Sequence, residues 1–199
     1  MRKYRYYVIT PFSRWQHFPA VIRLLFEQKV VWAPVFDADL PLSLTFPSWV
    51  EPHYCPPAPA GFFPGYWKTN WFFDHHVIEP EARYLVLNDD DWYEPGFFDK
   101  LDNRPGELLI CSMNRGQHQP PGSPHPGGIL DACPENLRVS YVGGEQLIVS
   151  GRLMHEHRYG PEYEADGHLI VKLSQAHPVE FVPEAQVYFN YLEPGRWDR

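Results

Sequence analysis

Hydrophobic positions along the chain fall into two alternating rhythms. "YYVIT", residues 6 to 10, is a short apolar run rich in β-branched residues that ends at Thr-Pro, which predicts a strand. Phe18, Val21, Ile22, Leu25 and Phe26 then recur at helical spacing, with Pro19 suited to a first helical turn. "VVW" (30 to 32) predicts a second strand, followed by a loop holding Asp37 and Asp39. "ARYLVLN" (82 to 88) is almost wholly apolar, as expected of a strand covered on both faces. Pro95 opens a predicted helix carrying Phe97, Phe98 and Leu101. "ELLICS" (107 to 112), "QLIVS" (146 to 150) and "VEFV" (179 to 182) predict further strands, and "DGHLIVKLSQ" (166 to 175) a helix begun by an aspartate. Such alternation implies an α/β fold with a mostly parallel central sheet flanked by helices.

Two segments interrupt the rhythm. Residues 41 to 66 are rich in proline and aromatics, and residues 113 to 136 in glycine, proline and histidine. Loops of that length inside a compact domain are expected to be lids or binding loops. No internal repeat or flexible linker divides the chain, so residues 1 to 199 are expected to form one domain. Apolar residues make up 44% and aromatics 16%, enough for a packed core. A formal charge of -8 argues against a general nucleic-acid surface, which would need a basic face. No apolar stretch reaches the length of a membrane span, and the run after the basic start is too short for a signal peptide. Cys55, Cys111 and Cys133 are odd in number and share no CxxC spacing, which suits reduced thiols in a cytoplasmic protein.

Charge changes the picture at one place. "VLNDDDWYEPGFFDKL" (86 to 101) sets Asp89, Asp90 and Asp91 directly behind the most apolar strand. Like charges this close need a compensating cation or full solvation. Two readings are open: a solvated turn capping the next helix, or a site for Mg²⁺ or Mn²⁺ carrying a phosphorylated substrate. In an open α/β sheet, ligands collect beyond the carboxyl ends of the strands, where these aspartates fall.

The chain here resembles the inverting, family-2-like glycosyltransferases with a GT-A fold. Four stretches carry the likeness in the family's order: "VITPFSRW", "YLVLNDDDWYEPGFFDKL" with its DxD motif, "VGGEQLIVSGRLMHE", and "YEADGHLIVKL" with its late acidic motif. Residues 41 to 66 match nothing specific, and "VFDAD" replaces the family's direct acidic pair after the second strand. The resemblance implies transfer of a sugar from a nucleoside-diphosphate sugar to a carbohydrate, lipid-linked or protein acceptor, with inversion. It makes Asp91 the leading metal ligand, with Asp89 nearer the ribose or a metal-bound water and Asp90 beside the nucleotide. It makes Asp166 the catalytic base, with Glu164 second; Asp166 as a plain helix cap stays open.

Other candidates are set by what they sit beside. Thr10, Pro11 and Phe12 are placed to wall the nucleotide base, and Asp37 to accept a hydrogen bond from it. Lys68 is a candidate for a phosphate and Asn70 for the donor, while Trp67, Trp71, Phe72 and Phe73 read as packing. Gly144, Glu145 and Gln146 suit either a grip on sugar or acceptor hydroxyls or a tight turn. Asn190 and Arg196 are candidates for phosphate or sugar contacts. Among ten histidines, none has partners at a spacing that defines a zinc site, His75, His76, His155 and His157 included. A nucleotidyltransferase would favour a Gly-rich phosphate loop after the first strand, and "TPFSRW" has no glycine. A non-catalytic carbohydrate-binding or assembly module on the same scaffold is the third reading.

Overall fold

The computed structural model describes residues 5–39, 45–116, 128–155 and 157–192. In chain order these form β1 (Tyr6–Pro11), α1 (Phe18–Gln28), β2 (Val31–Asp37), β3 (His53–Cys55), α2 (Pro64–His75), β4 (Arg83–Val86), β5 (Trp92–Tyr93), α3 (Phe97–Leu101), β6 (Leu108–Asn114), β7 (Ile129–Leu130), β8 (Leu147–Ser150), α4 (Gly151–Met154), α5 (Ala165–Ala176) and β9 (Glu180–Tyr188). The strands join one sheet in the order β3-β2-β1-β4-β8-β6-β9-β5, with β7 on β6. β1, β2, β3, β4, β6 and β9 run in one direction; β5, β7 and β8 run against them. The mostly parallel α/β expectation holds.

Side-chain alternation along β1 divides the core. Tyr6 and Val8 face Val21, Leu24 and Leu25 of α1 and Phe97, Phe98 and Leu101 of α3. Tyr7 and Ile9 face Phe72 and Phe73 of α2 and Leu169, Ile170 and Leu173 of α5. Both faces of β1 are buried, as its unbroken apolar run requires. Arg83 ties the start of β4 to the end of α3, donating to the carbonyls of Leu101 (2.8 Å), Gly106 (3.1 Å) and Arg104.

Several boundaries differ from expectation, each for a physical reason. β2 runs on to Asp37, through Pro34. Trp32 N donates toward the β3 side, to Trp49 O, and alternation puts residue 34 on that same side. Pro34 lies between the Trp32–Val50 bridge and the Val35–His53 pair, where that outer ladder is already interrupted. β9 likewise passes Pro183: its register against β6 jumps from Val182 to Gln186, an irregularity that absorbs the residues between. α3 begins at Phe97 rather than Pro95, because Gly96 takes a left-handed conformation with φ 75°. α2 falls partly in a stretch expected to be loop. Its Gly, Thr and aromatic content is poor helix material, and burial of Lys68, Thr69, Asn70, Phe72 and Phe73 overrides that propensity. No helix among the described residues is long and apolar enough to cross a membrane.

Candidate functional site

The topology brings several chain ends to one edge. The carboxyl ends of β1, β2, β4 and β9 meet there with the first turns of α2 and α5. Because β8 runs against its neighbours, its entry turn, Gly143 to Gln146, arrives at the same edge. A cleft of about 520 Å³ opens between them, lined among others by Pro11, Ser13, Arg14, Asp89, Asp90 and Asp166. That volume lies within the range of small-molecule sites.

The three consecutive aspartates divide into three environments. Asp89 is an anchor: its Oδ2 accepts from Ser13 N (2.6 Å), Ser13 Oγ (3.1 Å) and Arg14 N (2.6 Å), and its Oδ1 from Arg14 NH1 (2.5 Å). It thereby fixes the turn after β1 against the end of β4. Asp90 lies on the cleft wall, 3.0 Å from Arg14 NH1. Asp91 lies behind the wall and does not line the cleft. Its Oδ1 accepts from Asn190 N (2.6 Å), and its Oδ2 is buried with no hydrogen-bond partner among the described residues. Burial holds its carboxyl well above the usual range, and Glu145 and Asp90 push it further.

Opposite this strand end stands a second acidic group. Glu145 is buried and pushed up to about 7, by burial first and by Asp166 second; Asn88 Nδ2 donates to it. Asp166 is not the helix cap: Glu164 holds the N-cap position of α5, and Asp166 lies in its first turn. Its Oδ2 accepts from Gly144 N (2.9 Å) and its Oδ1 from Gly167 N (2.8 Å). Each carboxylate oxygen therefore keeps capacity for a further bond. The close approach of Gly144 is part of this, since a Cβ there would stand 3.5 Å from the Asp166 Cβ. Tyr66 and Tyr159 stack beside the pair, with ring centroids 5.2 Å apart, and Phe63 and Tyr163 extend the aromatic rim. Burial, then Asp166 and Glu145, hold the Tyr66 hydroxyl well above its ordinary value.

Of the residues singled out in the sequence, Pro11, Lys68, Asp89, Asp90, Gly144, Glu145, Glu164, Asp166 and Asn190 line the cleft. Others have structural work instead. Thr10 is buried and accepts from Trp32 Nε1 (3.0 Å), and Phe12 packs among Trp15, Phe18, Trp32 and Phe36. The Lys68 ammonium is not free for a phosphate: it donates to Phe12 O (2.7 Å) and pairs with Asp37 (3.0 Å). Asn70 bonds the Tyr159 backbone in both directions, at 2.9 Å each. Gln146 braces its own turn, accepting from Gly143 N (3.1 Å) and donating to Cys111 O (2.9 Å). Arg196 lies outside the described residues. Sequence reasoning missed Arg14, Asn88, Tyr66 and Tyr159. Arg14 had a signal: it is the cation in the turn after β1, and the aspartates required one nearby.

No family model matches the chain, and no curated protein matches it in sequence. Solved structures do match in fold. A crystal structure of S. aureus TarS, residues 1–349, superposes with a TM-score of 0.62 at 12% identity, over 92% of this chain and 60% of that one. TarS in complex with UDP-GlcNAc gives a TM-score of 0.57 at 12% identity, over 93% and 58%. The inositol-1-phosphate CTP transferase from T. maritima gives 0.55 at 8% identity, over 100% and 94%. The fold is GT-A-like. The chain thus spans about three-fifths of the TarS fragment. At these identities the GT-A-like match speaks for architecture alone, and the chemistry has to come from the cleft.

Proposed function

We propose that this chain is a metal-dependent glycosyltransferase that moves a sugar from a nucleoside-diphosphate sugar to an acceptor hydroxyl, with inversion at the anomeric carbon. The observation that carries the reading is the meeting of two acidic groups in one cleft of a GT-A-like sheet. One group follows β4, with Asp89 and Asp90 on the cleft wall and Asp91 buried behind them; the other is Asp166 in the first turn of α5. TarS, a fold neighbour, is known in complex with UDP-GlcNAc, which supports a nucleotide sugar as the donor class.

The residues fit a divalent cation. Asp91 has an unpartnered buried oxygen, and Asp91 and Glu145 are both pushed toward protonation by burial and neighbouring carboxylates, so the site is short of positive charge. Asp90 would hold the ion from the cleft wall and Asp91 from behind it, since the oxygens of Asp89 are engaged by Ser13 and Arg14. Bound Mg²⁺ or Mn²⁺ supplies positive charge that stabilises the leaving diphosphate. Asp89 and Arg14 keep the nucleotide-side turn rigid. Asp166 accepts the acceptor's proton as its oxygen attacks, with the Gly144 and Gly167 amides fixing the carboxylate's direction. The tyrosine pair at positions 66 and 159 shields the reacting carbon from water.

A nucleotidyltransferase is the alternative, favoured by the T. maritima neighbour's coverage. It fits less well, because the amides of Ser13 and Arg14, in the turn where a phosphate loop would lie, already donate to Asp89. The test is Asp166→Asn. It should fold and bind donor normally, while turnover falls by about a hundredfold or more, the scale of a positioned general base. Near-normal turnover in a well-folded variant would remove Asp166 from the mechanism, and a retained anomeric configuration would overturn the single displacement.

A further inference from the structure

The opposite edge of the sheet carries a separate constellation that the cleft does not use. Glu51 precedes β3, His53 is its first residue, and His76 is the C-cap of α2. One ligand-capable atom from each of the three lies within 4.8 Å of the others. The Nε2 atoms of both His53 and His76 are buried, and neither has a hydrogen-bond partner among the described residues. A buried imidazole nitrogen left without a partner carries a desolvation cost, and two of them beside a carboxylate demand an explanation.

Their surroundings point to a cation. The His53 and His76 rings stand nearly perpendicular with centroids 5.7 Å apart, and Phe72 packs against both, at 4.8 and 4.6 Å. Tyr7 closes the other side of His76 at 5.0 Å. Aromatic walls hold both rings in place before any ligand arrives. Glu51 also touches Arg5, but at 3.3 Å between partly exposed side chains, and Arg5 has a shorter partner in Glu79 at 2.7 Å. That long contact is a weak competitor for a metal.

We propose that Glu51, His53 and His76 form a structural zinc site that ties edge strand β3 to the C-terminal end of α2. Two imidazoles and a carboxylate match the ligand preference of Zn²⁺ with water as the fourth ligand, an open set, so the structural role rests on position and not on ligand count. Zn–N and Zn–O bonds of about 2.0–2.2 Å place tetrahedral ligand atoms about 3.3–3.5 Å apart, so the three groups need only a small inward adjustment. A structural role follows from position. The site stands at the amino ends of the parallel strands, whereas the cleft lies at their carboxyl ends, and none of the three residues lines the cleft. β3 is a three-residue edge strand, a weak element that gains most from a cross-link to a helix.

The experiment uses the full untagged chain, freed of metal by chelation and titrated with Zn²⁺ and separately with Co²⁺. The site predicts one Zn²⁺ per chain by elemental analysis, a raised thermal midpoint, and the strong visible absorption of four-coordinate Co²⁺. His53→Gln with His76→Gln should weaken Zn²⁺ binding by about a hundredfold or more, with the far-ultraviolet spectrum retained. Should the double variant not fold, ¹⁵N spectra of the wild-type imidazoles decide instead: Zn²⁺ must move the ring nitrogens of His53 and His76. Mg²⁺ should leave the ring nitrogens of His53 and His76 unmoved. The proposal is overturned by unchanged ring-nitrogen shifts, by Co²⁺ showing only the weak absorption of a six-coordinate oxygen site, or by Zn²⁺ binding that the folded double variant retains undiminished.

Discussion

Asp89→Asn tests whether the turn after β1 is held by charge. In the native protein Oδ2 accepts three bonds, from Ser13 N, Ser13 Oγ and Arg14 N, while Oδ1 accepts one from the Arg14 guanidinium. Asparagine can offer one oxygen to the three donors, but it then turns its amide NH₂ toward Arg14. Hydrogen bonds to a charged group contribute about 1.5–3 kcal/mol and neutral ones about 0.5–1.5, so each of three bonds loses about 1 kcal/mol. The Arg14 pair adds at most about 1 kcal/mol, because that side chain is 41% exposed. The expected loss is therefore about 3–4 kcal/mol, measured by urea unfolding at constant slope. Hydrogen exchange should show the Ser13 and Arg14 amides losing protection beyond the global change. A loss below about 1 kcal/mol with both amides still protected would refute the anchoring role.

Other outcomes follow from single contacts. Arg83→Met takes the guanidinium donor from the carbonyls of Arg104 and Gly106 and one of two donors from that of Leu101, and should cost about 3–5 kcal/mol in denaturant unfolding; a loss under about 1 would contradict the staple. Cys55 and Cys111 are buried, and burial pushes the Cys55 thiol up to about 11, so a thiol reagent at neutral pH should label only Cys133 quickly. Three fast thiols in the native protein would show that this packing is wrong. Asn70→Ala removes both bonds to the Tyr159 backbone and should destabilise by about 1–3 kcal/mol while raising exchange at the Tyr159 amide; an unchanged rate there would dismiss the clamp.

Periodicity revealed the strands best where apolar runs were unbroken, as in β1 and β6, because burial on both faces leaves a signal in every residue. It stopped short at Pro34 and Pro183, where tertiary pairing decides whether a missing N–H matters. α2 was hidden because its residues favour helix only once Phe72 and Phe73 are buried against the sheet. The acidic strand end was legible as a candidate site from its charge density together with the family resemblance. What could not be read was the division of labour among its three members: Asp89 is an anchor only because β1 and β4 are neighbours, which no local pattern encodes. Lys68 and Asn70 looked like ligand contacts for the same reason, since their partners Asp37 and Tyr159 are distant in sequence. The pair of unpartnered histidines arises from two elements that spacing rules do not connect.

The measurement that most directly tests the central claim is release of nucleoside diphosphate from a panel of nucleotide sugars, with Mg²⁺, Mn²⁺ or chelator and with a range of acceptors. The account predicts that at least one sugar nucleotide is turned over, that chelation stops it, and that Asp90→Ala and Asp166→Asn each lower it by about a hundredfold or more while remaining folded. Turnover instead of a nucleoside triphosphate and a sugar phosphate, releasing pyrophosphate, would contradict the glycosyltransferase reading and establish the nucleotidyltransferase in its place.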